Sequence, residues 1–228
     1  MYQFLFLDLD DTILDFKKAE YIALGKTLES LGLPASDQVR SRYSQINKMH
    51  WEMLERGELT REQVLVGRFQ MLFREYDIQV DAQQCAWLYA HNLSFGHHFL
   101  PGAEEALERL SKKYKLYIVS NGTGSVQKGR LESANISHFF QDIFISQDMG
   151  FNKPDKGFFD NCFARIPELD LSRSLIVGDS LTSDILGGIN AGIATCWVNP
   201  GHEEVRMGIH PDYEIESISQ LEGLLERL

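Results

Sequence analysis

Carboxylates crowd the start of the chain: Asp8, Asp10 and Asp11 stand together in Asp8-Leu9-Asp10-Asp11-Thr12, directly after the apolar run Phe4–Leu7. So many like charges repel one another unless a cation or a shared proton compensates them. Alternation at a strand end points Asp8 and Asp10 the same way, toward one shared site. A calcium loop of EF-hand type requires glycine at its sixth position and glutamate at its twelfth. This chain has Ile13 and Ala19 there. A solvated acidic turn is the simpler alternative, and the segment by itself does not exclude it.

Three more polar clusters follow apolar runs. Ser120-Asn121-Gly122 offers a hydroxyl, backbone amides and a flexible glycine, a combination that binds phosphate oxygens and also makes ordinary turns. Lys153-Pro154 places an ammonium at the mouth of a helix, where it supplies a point charge to an anion or is a plain surface lysine. Gly178-Asp179-Ser180, with Asp184 beyond it, sets carboxylates beside a strand end, suited to a hard cation that takes oxygen ligands; Asp179 also fits a helix N-cap.

The elements that must position these clusters are legible in the hydropathy pattern. Phe4–Leu7, Leu116–Val119, Ile143–Ile145, Leu175–Val177 and Ala194–Val198 are short apolar runs without clean alternation, as expected of strands buried on both faces of a parallel sheet. Helical spacing separates them at Ala103–Lys113, Val126–Ala134, Lys156–Ile166 and Ser183–Ala191, with a last candidate at Ser219–Leu228. Strand alternating with helix predicts a doubly wound α/β structure, whose ligands bind beyond the carboxyl ends of the strands. All four clusters lie at such ends, so one edge of one sheet gathers them. Residues 16–97 break the alternation. Ala19–Leu31, Ser36–Glu55, Thr60–Tyr76 and Asp81–Leu93 have helical periodicity, with breaks at Gly32 and Pro34 and at Gly57 and Glu58. A stretch of about 80 residues is far too long for a crossover loop. It predicts an inserted helical cap, leaving 1–15 and 98–228 as the α/β core.

The chain has 228 residues, 43% hydrophobic and 24% charged, with a formal net charge of -11. That composition is ordinary for a water-soluble fold with a sizeable core. The acidic balance argues against nucleic-acid polymers and anionic membranes as partners. Cys85, Cys162 and Cys196 lie far apart among apolar neighbours and are expected to be buried free thiols, which suits a reducing cytoplasm. The start, MYQFLFLDLDD, lacks a basic leader and a cleavage site, and no run approaches a membrane span.

Taken in order, the four clusters resemble the motifs of the haloacid dehalogenase superfamily, most of whose members are phosphatases. Asp8-Leu9-Asp10-Asp11-Thr12 resembles the first motif, Ser120-Asn121-Gly122 the second, Lys153 the third, and Gly178-Asp179-Ser180 through Asp184 the fourth. Asp11 departs from the glycine that many members carry, although some nucleotidases of the family have aspartate there. The resemblance implies a Rossmann-like core, a first-type helical cap that selects the substrate, and an aspartyl-phosphate mechanism. Asp8 would be the nucleophile and Asp10 the acid and base. Mg2+, with Mn2+ as a substitute, would be held by the Asp8 carboxylate, the Asp10 carbonyl, Asp179 and Asp184. Ser120, the amide of Asn121 and Lys153 would hold phosphoryl oxygens, with Thr12 and Gly122 in support. Asp10 argues against dehalogenation, because a halide leaves without a proton donor.

The cap pattern and Asp184-Ile185-Leu186-Gly187-Gly188-Ile189-Asn190-Ala191-Gly192 are similar to bacterial pyrimidine 5′-nucleotidases of the superfamily. This implies a nucleoside monophosphate as substrate, with Asn47, His50, Trp51 and Arg68 as candidate contacts, and a monomer or homodimer. The competing assignment for Trp51 and Phe69 is cap core. A sugar-phosphate phosphatase or phosphomutase is the alternative enzyme. A receiver-like phospho-acceptor module is a reading of another class, but receivers are about half this length and carry no such insertion.

Overall fold

The computed structural model describes residues 1–228 as two compact units, Met1–Phe16 with His97–Leu228, and Lys17–Gly96. The first unit holds a six-stranded sheet: β1 (Phe4–Leu7), β2 (Lys115–Ser120), β3 (Phe140–Ile145), β4 (Ser174–Gly178), β5 (Ala194–Val198) and β6 (Tyr213–Ile215). Every pairing is parallel, and the order is β3-β2-β1-β4-β5-β6. β1, β2, β4 and β5 are buried along nearly their whole length because helices cover both faces. One face packs Leu5, Leu7, Leu116, Ile118, Leu175 and Val177 into a core; the other packs Phe4, Phe6, Tyr117, Val119 and Ile176 against a second. The chain winds outward from β1 through β2 to β3, then returns to β4 and winds the other way. The direction therefore reverses between β1 and β4, where open α/β sheets form their binding crevice.

The five strands expected from the sequence are all present. β6 was not expected, since Tyr213-Glu214-Ile215 is short and half polar; it forms because β5 offers an open edge, pairing Cys196 with Tyr213 and Val198 with Ile215. Helices in the Lys17–Gly96 unit follow their caps. Helix α1 spans Phe16–Ser30, α2 Asp37–Glu55, α3 Arg61–Glu75 and α4 Ala82–Leu93. The side chains of Ser36, Thr60 and Asp81 accept from amides of the first turns of α2, α3 and α4, and Thr60 and Gln63 complete a capping box. Gly32 and Gly57 end α1 and α2 with left-handed backbone, φ +66° and +73°. Tyr43, Phe69 and Tyr89 pack together in this unit in tilted and edge-to-face contacts, with ring centroids 5.0 to 5.5 Å apart.

The remaining helices are α5 (Ala103–Leu110), α6 (Gly124–Ser133), α7 (Ser146–Met149), α8 (Lys156–Phe163), α9 (Leu186–Ala191) and α10 (Leu221–Leu225). Several stop sooner than their apolar spacing suggests. The run Ser183–Ala191 is not one α-helix: Leu181–Ile185 forms a wider π-type turn before α9. The tail shortens to a 3₁₀ turn, Ile218–Gln220, and α10. Cys85, Cys162 and Cys196 are all buried and free. No helix is long and apolar enough to cross a membrane.

Phe69 is fully buried between two tyrosines. Phe69→Ala is expected to destabilise the helical unit by about 3–5 kcal/mol. Denaturant unfolding followed by far-ultraviolet circular dichroism measures this.

Candidate active site

Adjacent parallel strands stand about 4.8 Å apart, so residues at the ends of β2, β1 and β4 are neighbours by construction. Asp8 follows β1, and its amide donates to Val177 O of β4 at 2.9 Å. Ser120 ends β2, and Asp179 follows β4. Carboxylate oxygens of Asp8, Asp179 and Asp184 all lie within 4.8 Å of one another. The π-type turn delivers Asp184: its wider winding turns the carboxylate back toward the strand end, where Oδ2 accepts from Ser180 N at 3.1 Å. A β-carbon on Gly178 would sit 2.2 Å from that Oδ2, so only glycine leaves room for Asp184.

Lys153 is no surface lysine. It is 1% exposed, and its Nζ donates to Asp8 Oδ1, Asp184 Oδ1 and Val119 O, each at 2.6 Å. All three ammonium hydrogens are used. The Asn121 side chain fixes the backbone of this lysine, accepting from Lys153 N and donating to Lys153 O, both at 2.8 Å. The side chain of Asn121 is thus a brace between the β2 end and the Lys153 loop.

Asp10 is held from a direction that the motifs do not announce. Gln127 Nε2 donates to Asp10 Oδ2 at 2.7 Å and to Ser120 Oγ at 2.8 Å, while Arg130 forms an ion pair with Asp10 Oδ1. Both residues come from α6 and are buried. The signal was present in the sequence: Gln127 and Arg130 share the helix stripe of Val126, Leu131 and Ala134, and polar residues in an apolar stripe need buried partners. Gly122 is not among the glycines with left-handed backbone. It leaves space: a β-carbon there would meet Gln127 Cδ at 2.5 Å. Asp11 has a left-handed backbone, φ 55°, and Oδ1 accepts from Phe16 N at 3.0 Å, opening α1. Thr12 is fully buried with no hydrogen-bond partner for Oγ1.

The helical unit treats its candidate residues differently. Asn47, His50 and Arg68 are buried. Arg68 donates to Asn47 Oδ1 and Asn47 donates to Glu20 Oε1, both at 2.7 Å, so Asn47 couples a buried cation to a buried carboxylate. The Arg68 guanidinium carbon also lies 4.9 Å from the Tyr89 ring centroid. His50 Nδ1 bonds Ile46 O at 2.8 Å. Trp51 is half-buried beneath Arg61, at 5.5 Å, and Phe69 is core.

Comparison with known proteins accords with this architecture. Residues 5–198 match the family model described as haloacid dehalogenase-like hydrolase. The chain belongs to that family. This hydrolase is 40% identical to the HAD-hydrolase YfnB of Bacillus subtilis, covering 98% of this chain and 95% of that one. A crystal structure of YfnB, described as magnesium-bound and as revealing interdomain movement, superposes with a TM-score of 0.94 over 98% of both chains. Pyrimidine 5′-nucleotidase PynA of Streptococcus pneumoniae is 35% identical, over 99% of this chain and 96% of that protein. Pyrimidine 5′-nucleotidase YjjG of Escherichia coli is 32% identical, over 98% of each.

The charges of the hydrolase fit a divalent cation. Three carboxylates, Asp8, Asp179 and Asp184, face one ammonium, Lys153, so full ionisation would leave two negative charges in excess. Burial raises the proton affinity of Asp8 to a pKa of about 8, with Asp184 and Asp10 adding to it and Lys153 opposing it. Burial and the charges of Asp8, Asp184 and Asp11 likewise hold Asp179 well above the usual carboxylate range. Oxygen donors alone select a hard ion such as Mg2+ or Mn2+.

A pH dependence follows from Asp8. Between about 3.8 and about 8 the folded metal-free chain keeps a proton that the unfolded chain has released. The folded state then binds more protons, so this group's contribution to stability falls as pH rises through that window. The fall should be visible in Tm for the wild type and smaller in Asp8→Asn, where Asp179 still contributes in the same direction. A divalent cation added to this cluster would compete with the same proton, so any stabilisation by Mg2+ should grow with pH and calorimetry should register proton release.

Proposed function

We propose that this hydrolase is a divalent-metal-dependent phosphomonoesterase, a 5′-nucleotidase for pyrimidine nucleoside monophosphates including non-standard ones, working through an aspartyl-phosphate on Asp8. One observation carries the reading: Asp8 sits within hydrogen-bond reach of Lys153 and beside Asp179 and Asp184, with a second carboxylate, Asp10, independently held nearby. A carboxylate normally repels a phosphate dianion. Here Lys153 and a cation held by Asp8, Asp179 and Asp184 reverse the local sign. When bound, Mg2+ supplies Lewis-acid stabilisation of charge on the phosphoryl oxygens.

The residues divide the reaction as follows. An Asp8 oxygen attacks phosphorus, the P–O ester bond breaks, and its electron pair goes to the leaving oxygen, which takes a proton from Asp10. Asp10 then accepts a proton from the water that attacks the acyl phosphate, inorganic phosphate departs, and the Asp8 carboxylate is restored. Lys153 has no N–H to spare, so its role toward the phosphoryl group is charge held in place, ready before substrate arrives. The hydroxyl of Ser120 accepts from Gln127 and from Gly122 N, leaving its own proton to donate to a phosphoryl oxygen alongside the amide of Asn121. Substrate selection is assigned to the Lys17–Gly96 unit, in which Glu20, Asn47 and Arg68 form a buried hydrogen-bonded chain. The nucleotide preference rests on the two relatives named pyrimidine 5′-nucleotidases.

Asp8→Asn is expected to abolish turnover of p-nitrophenyl phosphate with Mg2+ while the protein stays folded; substantial residual rate would refute the nucleophile. Across a panel of nucleoside monophosphates and sugar phosphates, UMP, dUMP and dTMP should give the highest kcat/KM. Preference for a hexose phosphate would replace the nucleotidase reading with that of a sugar-phosphate phosphatase.

A further inference from the structure

Arg130 and Gln127 are buried polar residues, 0% and 2% exposed, on a helix that carries none of the four polar clusters. Burying a guanidinium costs several kcal/mol unless it is paired and hydrogen-bonded. Its acidic partner is Asp10, the carboxylate whose roles above require it to meet the leaving oxygen and then the attacking water. The two contacts divide the carboxylate: Arg130 takes Oδ1 and Gln127 takes Oδ2. Arg130 NH1 also reaches Gln127 Oε1 at 3.3 Å, so the two α6 side chains support each other. Gln127 spends its second N–H on Ser120 Oγ, tying Asp10 to the end of β2. The Asp10 side chain keeps 29% of its surface exposed. The contacts therefore fix two oxygens from behind and leave an open face.

We infer that Gln127 and Arg130 are positioning residues that aim the Asp10 carboxylate, making α6 the support of the proton-transfer group. This rests on the phosphomonoesterase reading and goes beyond it, since neither residue belongs to a motif that touches phosphate or metal. An unsupported aspartate on a loop has free rotation about two side-chain bonds. Proton transfer needs heavy-atom approach within about 3 Å, so angular freedom lowers the rate without weakening substrate binding.

Leaving-group dependence tests the proposal, because a merely structural role would not move it. The kcat/KM for an ester reports steps through departure of the leaving group. p-Nitrophenolate leaves without a proton, whereas the alkoxide of a nucleoside monophosphate needs one. Arg130→Met, close in volume, should lower kcat/KM for UMP by about 10- to 100-fold and for p-nitrophenyl phosphate by less than about 3-fold, whereas Gln127→Met, which also releases Ser120 Oγ, should lower both, UMP more. KM for UMP should change little, and Arg130→Lys should recover part of the loss. Arg130→Gln, shorter and uncharged, serves if Arg130→Met does not fold. Equal losses on both esters, or no loss on UMP, would overturn the positioning role while leaving the hydrolase reading intact. Wild-type protein that turns over neither ester would overturn both.

Discussion

Everything at the sheet edge depends on burying Lys153 between Asp8 and Asp184. An ammonium so enclosed is tolerated only because each of its hydrogens meets an oxygen, two of them charged. The bonds run both ways. Lys153 holds one oxygen of Asp8 and one of Asp184, fixing two of the three carboxylates, while their charges raise the ammonium's affinity for its proton against the opposing effect of burial. Removing the lysine would leave an uncompensated acidic cluster. Removing either aspartate would leave a buried cation underpaired.

The single cation is nevertheless too little. Asp8, Asp179 and Asp184 outnumber it, and burial first, with the neighbouring carboxylates adding to it, raises the proton affinities of Asp8 and Asp179. Three carboxylates around one ammonium suit a cation taken from solution, the arrangement on which the proposed function rests. Around this centre the glycines work by absence: Gly178 clears space for Asp184 and Gly122 for Gln127. Neither has the left-handed backbone that would itself call for glycine, so the space they leave accounts for them.

A second charge pair, Asp10 with Arg130, stands beside the first and is balanced within itself. The two are anchored separately: Asp8 shares its lysine with Asp184, whereas Asp10 is held from α6 by Arg130 and Gln127. The Lys17–Gly96 unit uses the same device at Glu20, Asn47 and Arg68, where one amide joins a buried acid to a buried base.

The sequence by itself determined the strands, because buried parallel strands must be continuously apolar, and it determined which strand ends carry polar clusters. It also determined the inserted helices, through spacing and the caps Ser36, Thr60 and Asp81. Tertiary structure alone decided which partners these residues take. Hydropathy assigns Lys153 to the surface by default; only the fold shows it enclosed, because its partners lie 145 and 31 residues away. Gln127 and Arg130 were visible as polar residues in an apolar stripe, but the carboxylate that explains them is 117 and 120 residues distant. β6 needed the free edge of β5 to exist before Tyr213–Ile215 had a reason to extend. Local pattern records what a residue can bury; contacts between distant segments decide which charge it meets there.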